Sequence, residues 1–391
     1  MRIAIIAGEA SGDILGSRLM ASLKKRYPEA RFEGIGGTEM QQAGLDSIYP
    51  MERLSVMGVF EVLPRLFELL KIRKTLIQRW LQNPPELFVG VDAPDFNFKL
   101  ERTLFHSGIP TAHYVSPNLW AWRQGRIKKI MGSMDVMLVL LPFELELYKK
   151  HQVNAEFVGH PLADEIPFNL SRAEARETLG LPVQRHTLAI LPGSRMSEIK
   201  YLADDFIKAA KILQQRHPDW QFVVPLINEK VKALFVEKQQ RIAPELSLKI
   251  IDGESRTVMA ASDQILLASG TAVLEGMLIA RPMVAAYRFA PMTAFIFRLF
   301  KMMKAKYFTL PNNLANECLV PELLQEQVTA QNLVNEIEQQ HNQPEQKKQA
   351  LMRRFNEIHQ TLRQNASEKA ADVLYKLLQN KAKQGKAKQD R

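Results

Sequence analysis

The sequence predicts two open parallel α/β sheets in one chain. Three observations carry that expectation: short apolar runs that end in turn residues, stretches of helical period between them, and a restart of the whole pattern after Gly159. Residues 2–7, 32–35, 87–91, 111–115, 136–140 and 156–158 form the first series of strand candidates. The second comprises residues 187–191, 221–225, 248–251, 264–267 and 283–286. Strands alternating with helices need crossover connections, so each series closes into a parallel sheet. Two such sheets put a ligand at the carboxyl ends of their strands, in a central cleft between domains. The predicted division is an N-terminal Rossmann-like domain at 1–165, a second at 166–345 with the hinge within 160–169, and closing helices with a basic tail at 346–391. The sequence leaves open which domain those last helices cover.

Composition narrows the function classes. At 391 residues and 46% hydrophobic content the chain supports two separate cores and is too apolar to be disordered. Its single cysteine, Cys318, excludes a disulfide framework and a cysteine-rich metal site, which fits a reducing compartment and makes the cytoplasm the default. Charges interrupt every long hydrophobic stretch, so no membrane span is expected. The net charge of +10 favours an anionic partner, and nucleic acid, nucleotide phosphates and anionic lipid all qualify. Part of the excess lies in residues 381–391, read as a solvated, disordered end.

In the first half, Gly8-Glu9-Ala10-Ser11-Gly12-Asp13 joins a strand to a helix. Free amides and the helix dipole suit an anion there, and a tight structural turn is the alternative. The spacing is neither GxGxxG nor a Walker loop, so dinucleotide and ATP chemistry lose support. Asp92, in VDAPDF, ends a strand facing the predicted cleft. A lone Asp there is usually a cap or turn residue, but a buried carboxylate with a raised pKa can also accept a hydroxyl proton. Asp95 is read as the N-cap of the next helix. The segment 113–123 (HYVSPNLWAWR) places Trp120 and Trp122 beside Arg123, able to bind a sugar face or headgroup, with a packed loop and a hydrogen-bonded core His113 as the plainer reading. His160 is read as part of the hinge.

The second half offers two more strand ends. In LPGSR, Ser194 and Arg195 precede a helix, and the guanidinium can neutralise a diphosphate or simply form a surface ion pair. In LASGTAVLE, the small turn Ser269-Gly270-Thr271 suits a phosphate, and Glu275, one turn on, suits sugar hydroxyls. A carboxylate near a helix N-terminus is also favourable by itself, by a few tenths to about 1 kcal/mol. No HExxH, paired histidines or DxD pair is present, so no metal is expected.

Two stretches combine a wide apolar face with interleaved cations: residues 56–81, with Phe60, Leu63, Phe67 and Leu70 beside Arg65, Lys71, Arg73, Lys74 and Arg79, and residues 287–308. A packed surface helix explains either one. Together they point to a membrane interface.

Taken in order, GEASGD, VMGVFEVLPRL, VDAPDFN, HYVSPNLWAWR, GHPLAD, LPGSR and LASGTAVLE resemble the lipid-A-disaccharide synthases over nearly the whole chain. That resemblance implies a GT-B fold and an inverting, metal-independent, cofactor-free hexosyltransferase of Gram-negative lipopolysaccharide synthesis. It implies joining UDP-2,3-diacylglucosamine to 2,3-diacylglucosamine 1-phosphate (lipid X), giving a β-1,6-linked disaccharide 1-phosphate and UDP. It also implies a peripheral location on the cytoplasmic face of the inner membrane. Carried over by motif, Asp92 is the base. Ser194, Arg195, Ser269, Gly270, Thr271, Glu275 and, in LPNNLA, Asn312 hold the donor nucleotide. Glu9, Ser11, Gly12, Trp120 and Trp122 face the acceptor. Nucleic acid is not an expected partner; an anionic membrane surface and a homodimer are. The rivals are a UDP-sugar epimerase on the same architecture and a non-catalytic membrane- or nucleic-acid-binding protein, which leaves Asp92, Arg195 and Glu275 unexplained.

Overall fold

A computed structural model describes residues 1–54, 59–120, 124–289 and 306–389. It divides into two compact units, one of residues 1–164 and 362–391, the other of residues 165–361.

The first unit holds β1 (Arg2–Ala7), β2 (Arg31–Ile35), β3 (Leu45–Ser47), β4 (Leu87–Val91), β5 (Thr111–Tyr114), β6 (Val136–Val139) and β7 (Ala155–Phe157). They form a sheet in the order β3-β2-β1-β4-β5-β6-β7, parallel at every pairing. The strand RIAIIA lies at its centre because it is apolar on both faces. Ile3 through Ala7 are all fully buried, as a parallel strand covered by helices on both sides requires. Each such Ile contributes about 1.5–3 kcal/mol.

The second unit repeats the plan with β8 (Thr187–Leu191), β9 (Gln221–Leu226), β10 (Leu248–Asp252), β11 (Gln264–Ala268), β12 (Met283–Tyr287) and β13 (Glu322–Leu324), in the order β10-β9-β8-β11-β12-β13. In both sheets the order reverses beside the first strand. The switch points therefore fall between β1 and β4 and between β8 and β11. An open parallel sheet binds its ligands just beyond the carboxyl ends at that point. All eleven expected strands are present; β3 and β13, three residues each at sheet edges, were not anticipated.

The helices Ala330–His341 and, as far as Thr361, Glu345–Leu362 run within the second unit, and the chain then returns to the first, which holds the helix Ala366–Gln389. The GHPLAD motif receives it. The N–H of His160 donates to Leu362 O (2.9 Å), and the Asp164 carboxylate accepts from the N–H groups of Asn365 and Ala366 at 2.9 and 2.6 Å. Gly159, at φ +94°, permits the approach, since a Cβ there would lie 2.5 Å from Gln364 Cβ. Glu368 then pairs with Lys25 (2.7 Å) and Arg26 (3.0 Å). The basic end expected to be disordered is instead helical to Gln389, with Lys381 bound to Asp135 at 2.7 Å.

Of the two basic amphipathic stretches, residues 290–305 of the second and 55–58 of the first lie outside the described residues, as do the side chains of Phe60 and Leu63. In the helix Val59–Gln82, Ile72, Leu76 and Trp80 are core, whereas Leu66, Phe67 and Leu70 are exposed, Phe67 by 83%. Among the described residues no helix is long and apolar enough to cross a membrane.

Candidate functional site

In the second unit the switch point opens into a cavity of about 530 Å³. Its lining includes Ser194 and Arg195 from the turn after β8, Ser269, Gly270 and Thr271 from the turn after β11, and Glu275 from the helix Thr271–Leu278. The cavity thus gathers six residues named from two separate motifs. Gly270 starts this helix with no side chain capping it, so its first amides face the cavity without a side-chain partner.

The turn after β8 is built differently. Gly193 sits at φ +122°, and the Glu198 carboxylate folds back to accept from the N–H groups of Ser194 (2.8 Å) and Arg195 (3.2 Å). The turn amides that an anion would use are occupied by the protein's own carboxylate. The Arg195 side chain is 65% exposed and 3.8 Å from Glu198, so its guanidinium is available to a ligand.

Glu275 accepts from Arg256 Nε at 2.7 Å, and the same guanidinium reaches Glu165 at 3.1 Å. One Glu275 oxygen is thereby oriented while its side chain stays 14% exposed to the cavity. Sequence reasoning missed Gly253, Glu254 and Tyr287 in this lining, and Arg256 as the partner of Glu275. Glu198 carried a signal, a carboxylate three residues into a helix start, which is the spacing at which side chains reach back to the cap.

Asn312 stands outside that cavity. It is fully buried, donates to Val320 O (2.7 Å) and Glu322 (2.8 Å), and accepts from the N–H groups of Leu319 and Val320 at 2.8 Å each. Every polar atom of its amide is spent on shaping the loop before β13.

In the first unit, the turns after β1 and β4 meet: a Cβ on Gly8 would lie 2.8 Å from Ala93 Cβ. Glu9 and Ser11 are exposed at the start of the helix Ala10–Arg26, while Gly12 is buried against Ala7 and Val91. Asp13 turns inward, accepting from the N–H groups of Gly37 (2.7 Å), Glu39 (3.0 Å) and Met40 (3.1 Å), so it braces the Gly36-Gly37 turn after β2. A smaller cavity of about 280 Å³ is lined by Glu9, Arg73, Ala93 and Asp95, among others.

Asp92 and Ala93 follow β4 with φ of +50° and +43°, two consecutive residues in the left-handed region. Such backbone costs about 1–3 kcal/mol per residue and collects at functional sites. Burial pushes the Asp92 carboxyl above the usual carboxylate range, and the charge of His113 works against that rise. Asp95 is not the N-cap. That position is Ala93, because Pro94, lacking an N–H, begins the helix Pro94–His106; Asp95 lies in its first turn, 3.1 Å from Arg126.

His113 is fully buried and bonded, as the plainer reading had it. Its Nδ1 is 2.6 Å from the equally buried Glu101. Trp120 packs edge-on against Phe143 at 5.5 Å, and Trp122 lies outside the described residues. Nearby, burial pushes the Glu144 carboxyl up to about 8, and Ser116 bonds Tyr148 at 2.8 Å.

Known proteins share this architecture. Among solved structures, the Neisseria meningitidis UDP-GlcNAc 2-epimerase, bound to UDP-GlcNAc, matches with a TM-score of 0.63 at 12% identity, covering 96% of this chain and 100% of that one. The calicheamicin glycosyltransferase CalG4 matches at 0.61 and 13%, covering 97% and 98%. At such identities the likeness speaks for the fold alone, which is that of the GT-B proteins. In sequence, the lipid-A-disaccharide synthase of Pseudoalteromonas translucida is 49% identical over 97% of both chains. That of Vibrio cholerae is 48% identical, covering 97% of this chain and 99% of its own. The family model for lipid-A-disaccharide synthetase matches residues 3–374. With identity of that extent, the chain belongs to the lipid-A-disaccharide synthases, a family of glycosyltransferases.

Proposed function

We propose that this chain transfers the diacylglucosamine of UDP-2,3-diacylglucosamine to the primary hydroxyl of 2,3-diacylglucosamine 1-phosphate, with inversion, releasing UDP. The observation that carries the reading, beside family membership, is the cavity at the second switch point, where uncapped helix amides, the Arg195 guanidinium and the Glu275 carboxylate converge. A diphosphate matches the first two and a ribose diol the third. Fixed donors of this kind, aimed at developing charge, are worth about 10²- to 10³-fold in rate each.

Asp92 takes the proton of the attacking hydroxyl. A carboxylate raised towards neutrality is a better base than an exposed one, and such a base contributes about 10²- to 10⁴-fold. Glu9, Ser11 and Gly12 are the candidates to hold the acceptor phosphate at the helix start. The exposed Leu66, Phe67 and Leu70, with basic neighbours Arg65, Lys71 and Lys74, suit a chain that rests on an anionic membrane surface while its lipid substrates stay embedded.

The test is UDP release by purified protein in detergent with both substrates, and with each alone. Release that needs both, with a disaccharide found by mass, is expected. Conversion of the UDP-sugar without an acceptor would replace this reading with an epimerase. Asp92→Asn is the substitution for the base, because Asn adopts the left-handed backbone of this position at less cost than Ala.

A further inference from the structure

Three fully buried polar side chains lie together beneath Asp92: Asn97, Glu101 and His113. The sheet register explains the grouping. His113 on β5 pairs with Gly90 on β4, two residues before Asp92. Asn97 and Glu101, one helical turn apart on Pro94–His106, cover the same spot, and Gly90 has no side chain to obstruct them. Asn97 Nδ2 donates to Asp92 O at 2.8 Å, tying this layer to the strained turn.

A carboxylate and an imidazole 2.6 Å apart and both wholly out of water are costly to assemble, and an apolar pair of similar volume would serve packing at least as well. The pair is moreover incomplete. Glu101 Oε2, His113 Nε2 and Asn97 Oδ1 are buried with no hydrogen-bond partner among the described residues. Nδ1 and Glu101 share a proton, and Nε2 is the ring nitrogen left to take another.

We propose that Glu101 and His113 are positioning residues for the reaction, a buried pair in which Glu101 orients and stabilises an imidazolium whose charge keeps Asp92 ionised and ready to accept the hydroxyl proton. The pair touches no substrate and acts only through Asp92. The inference rests on the reading of Asp92 as the base. Of the charged groups on the surrounding elements, Asp95 pairs with Arg126 at 3.1 Å, and Glu9 and Arg73 line the neighbouring cavity. Phe98 packs tilted against the imidazole with ring centres 4.7 Å apart, and Met137 pairs with His113 from β6, so these two elements present apolar side chains at those positions. His113 is the side chain whose charge offsets burial at Asp92.

The test is the pH dependence of kcat/KM for the wild type, Glu101→Gln and His113→Gln. A base works when ionised, so activity rises with pH through its pKa; removing a neighbouring positive charge raises that pKa. Both variants should move the acidic limb to higher pH by about one unit, with donor KM nearly unchanged. A lower rate with the limb unmoved would overturn the proposal and leave the pair a structural element. Asp92→Asn separates the two ideas: if it retains turnover and the wild-type limb, the base reading itself fails. Should the pair variants not fold, histidine-labelled full-length protein answers by nitrogen NMR. The ring of His113 should carry a proton on both nitrogens in the wild type; a neutral ring would overturn the proposal.

Discussion

Gly90→Ala is the substitution that most directly loads the layer beneath Asp92. A Cβ at this position would lie 2.0 Å from Glu101 Oε1 and 3.1 Å from Asn97 Cβ. Neither neighbour has room to retreat, since both are fully buried and Glu101 is held against His113 at 2.6 Å. Overpacking of a filled interior costs about 1–3 kcal/mol. Displacing the carboxylate also breaks a buried charged pair, which costs about 3–5 kcal/mol when one partner is left alone. Relaxation of the helix Pro94–His106 recovers part of that sum, so a loss of at least about 3 kcal/mol is expected. Urea unfolding followed through the fluorescence of Trp80, buried in the same unit, measures it. Gly125→Ala is the control, because its Cβ meets nothing within 4 Å. If the two variants unfold within about 1 kcal/mol of each other, the Glu101–His113 layer is not packed against β4 and the argument from Gly90 is wrong.

Other expectations follow from the second unit and from the returning helix. Arg256→Met removes the partner of Glu275 and should weaken UDP binding by about 2- to 5-fold by calorimetry; unchanged affinity would show that Glu275 holds its position unaided. Asn312→Ala deletes four hydrogen bonds, two of them fully buried, and should destabilise the second unit by about 2–4 kcal/mol with little change in UDP affinity, whereas lost affinity at unchanged stability would put Asn312 in the nucleotide site. Glu368, held at about 2 by Lys25 and Arg26, has a folded pKa below its ordinary 4.5, so its pairing stabilises the chain above that ordinary value and is lost as pH falls towards 2. The melting-temperature gap between wild type and Glu368→Gln should therefore be full at pH 7 and shrink at pH 3; a gap indifferent to pH would refute the assignment.

The central strands could be read because a parallel strand buried on both faces has to be continuously apolar, as RIAIIA and TLAIL are. The edge strands LDS and ELL carry no such run. They are strands only because a neighbour's ladder captures three residues of backbone, which no local pattern records. The same distinction divides the candidate site. Ser194, Arg195 and Ser269 through Thr271 follow strands directly, so knowing the strand ends locates them. Gly253 and Glu254 reach the cavity from the turn after β10, two strands away from β8, and only the sheet order brings them there. The destination of the last helix was equally hidden, because the contacts that decide it join Glu368 to residues 343 positions away.

What the sequence conceals most completely is the use of buried carboxylates. In KLERTLFH, Glu101 looks like any solvated helix residue, and in SRMSEIK, Glu198 looks like an acid favoured by a helix start. Their roles are set by glycines elsewhere in the chain. Gly193, at φ +122°, lets Glu198 fold over the turn amides, and Gly90 lets Glu101 sit against β4. A Cβ would strike the carboxylate at 2.4 Å in one case and 2.0 Å in the other. Each unit therefore places an acid under its switch-point turn by omitting a side chain from the backbone that the acid covers. For Glu198 this has a chemical consequence: a diphosphate approaching the Ser194 and Arg195 amides meets a carboxylate already bound to them. Like charges cannot share those donors, so the anion is directed to the uncapped turn at Ser269–Thr271 and to the exposed Arg195 guanidinium. Glu198→Gln keeps an acceptor for the two amides while removing that repulsion, and UDP should bind it at least as tightly as the wild type. Weaker binding would mean that the carboxylate's hold on the turn, and not its charge, is what the nucleotide depends on.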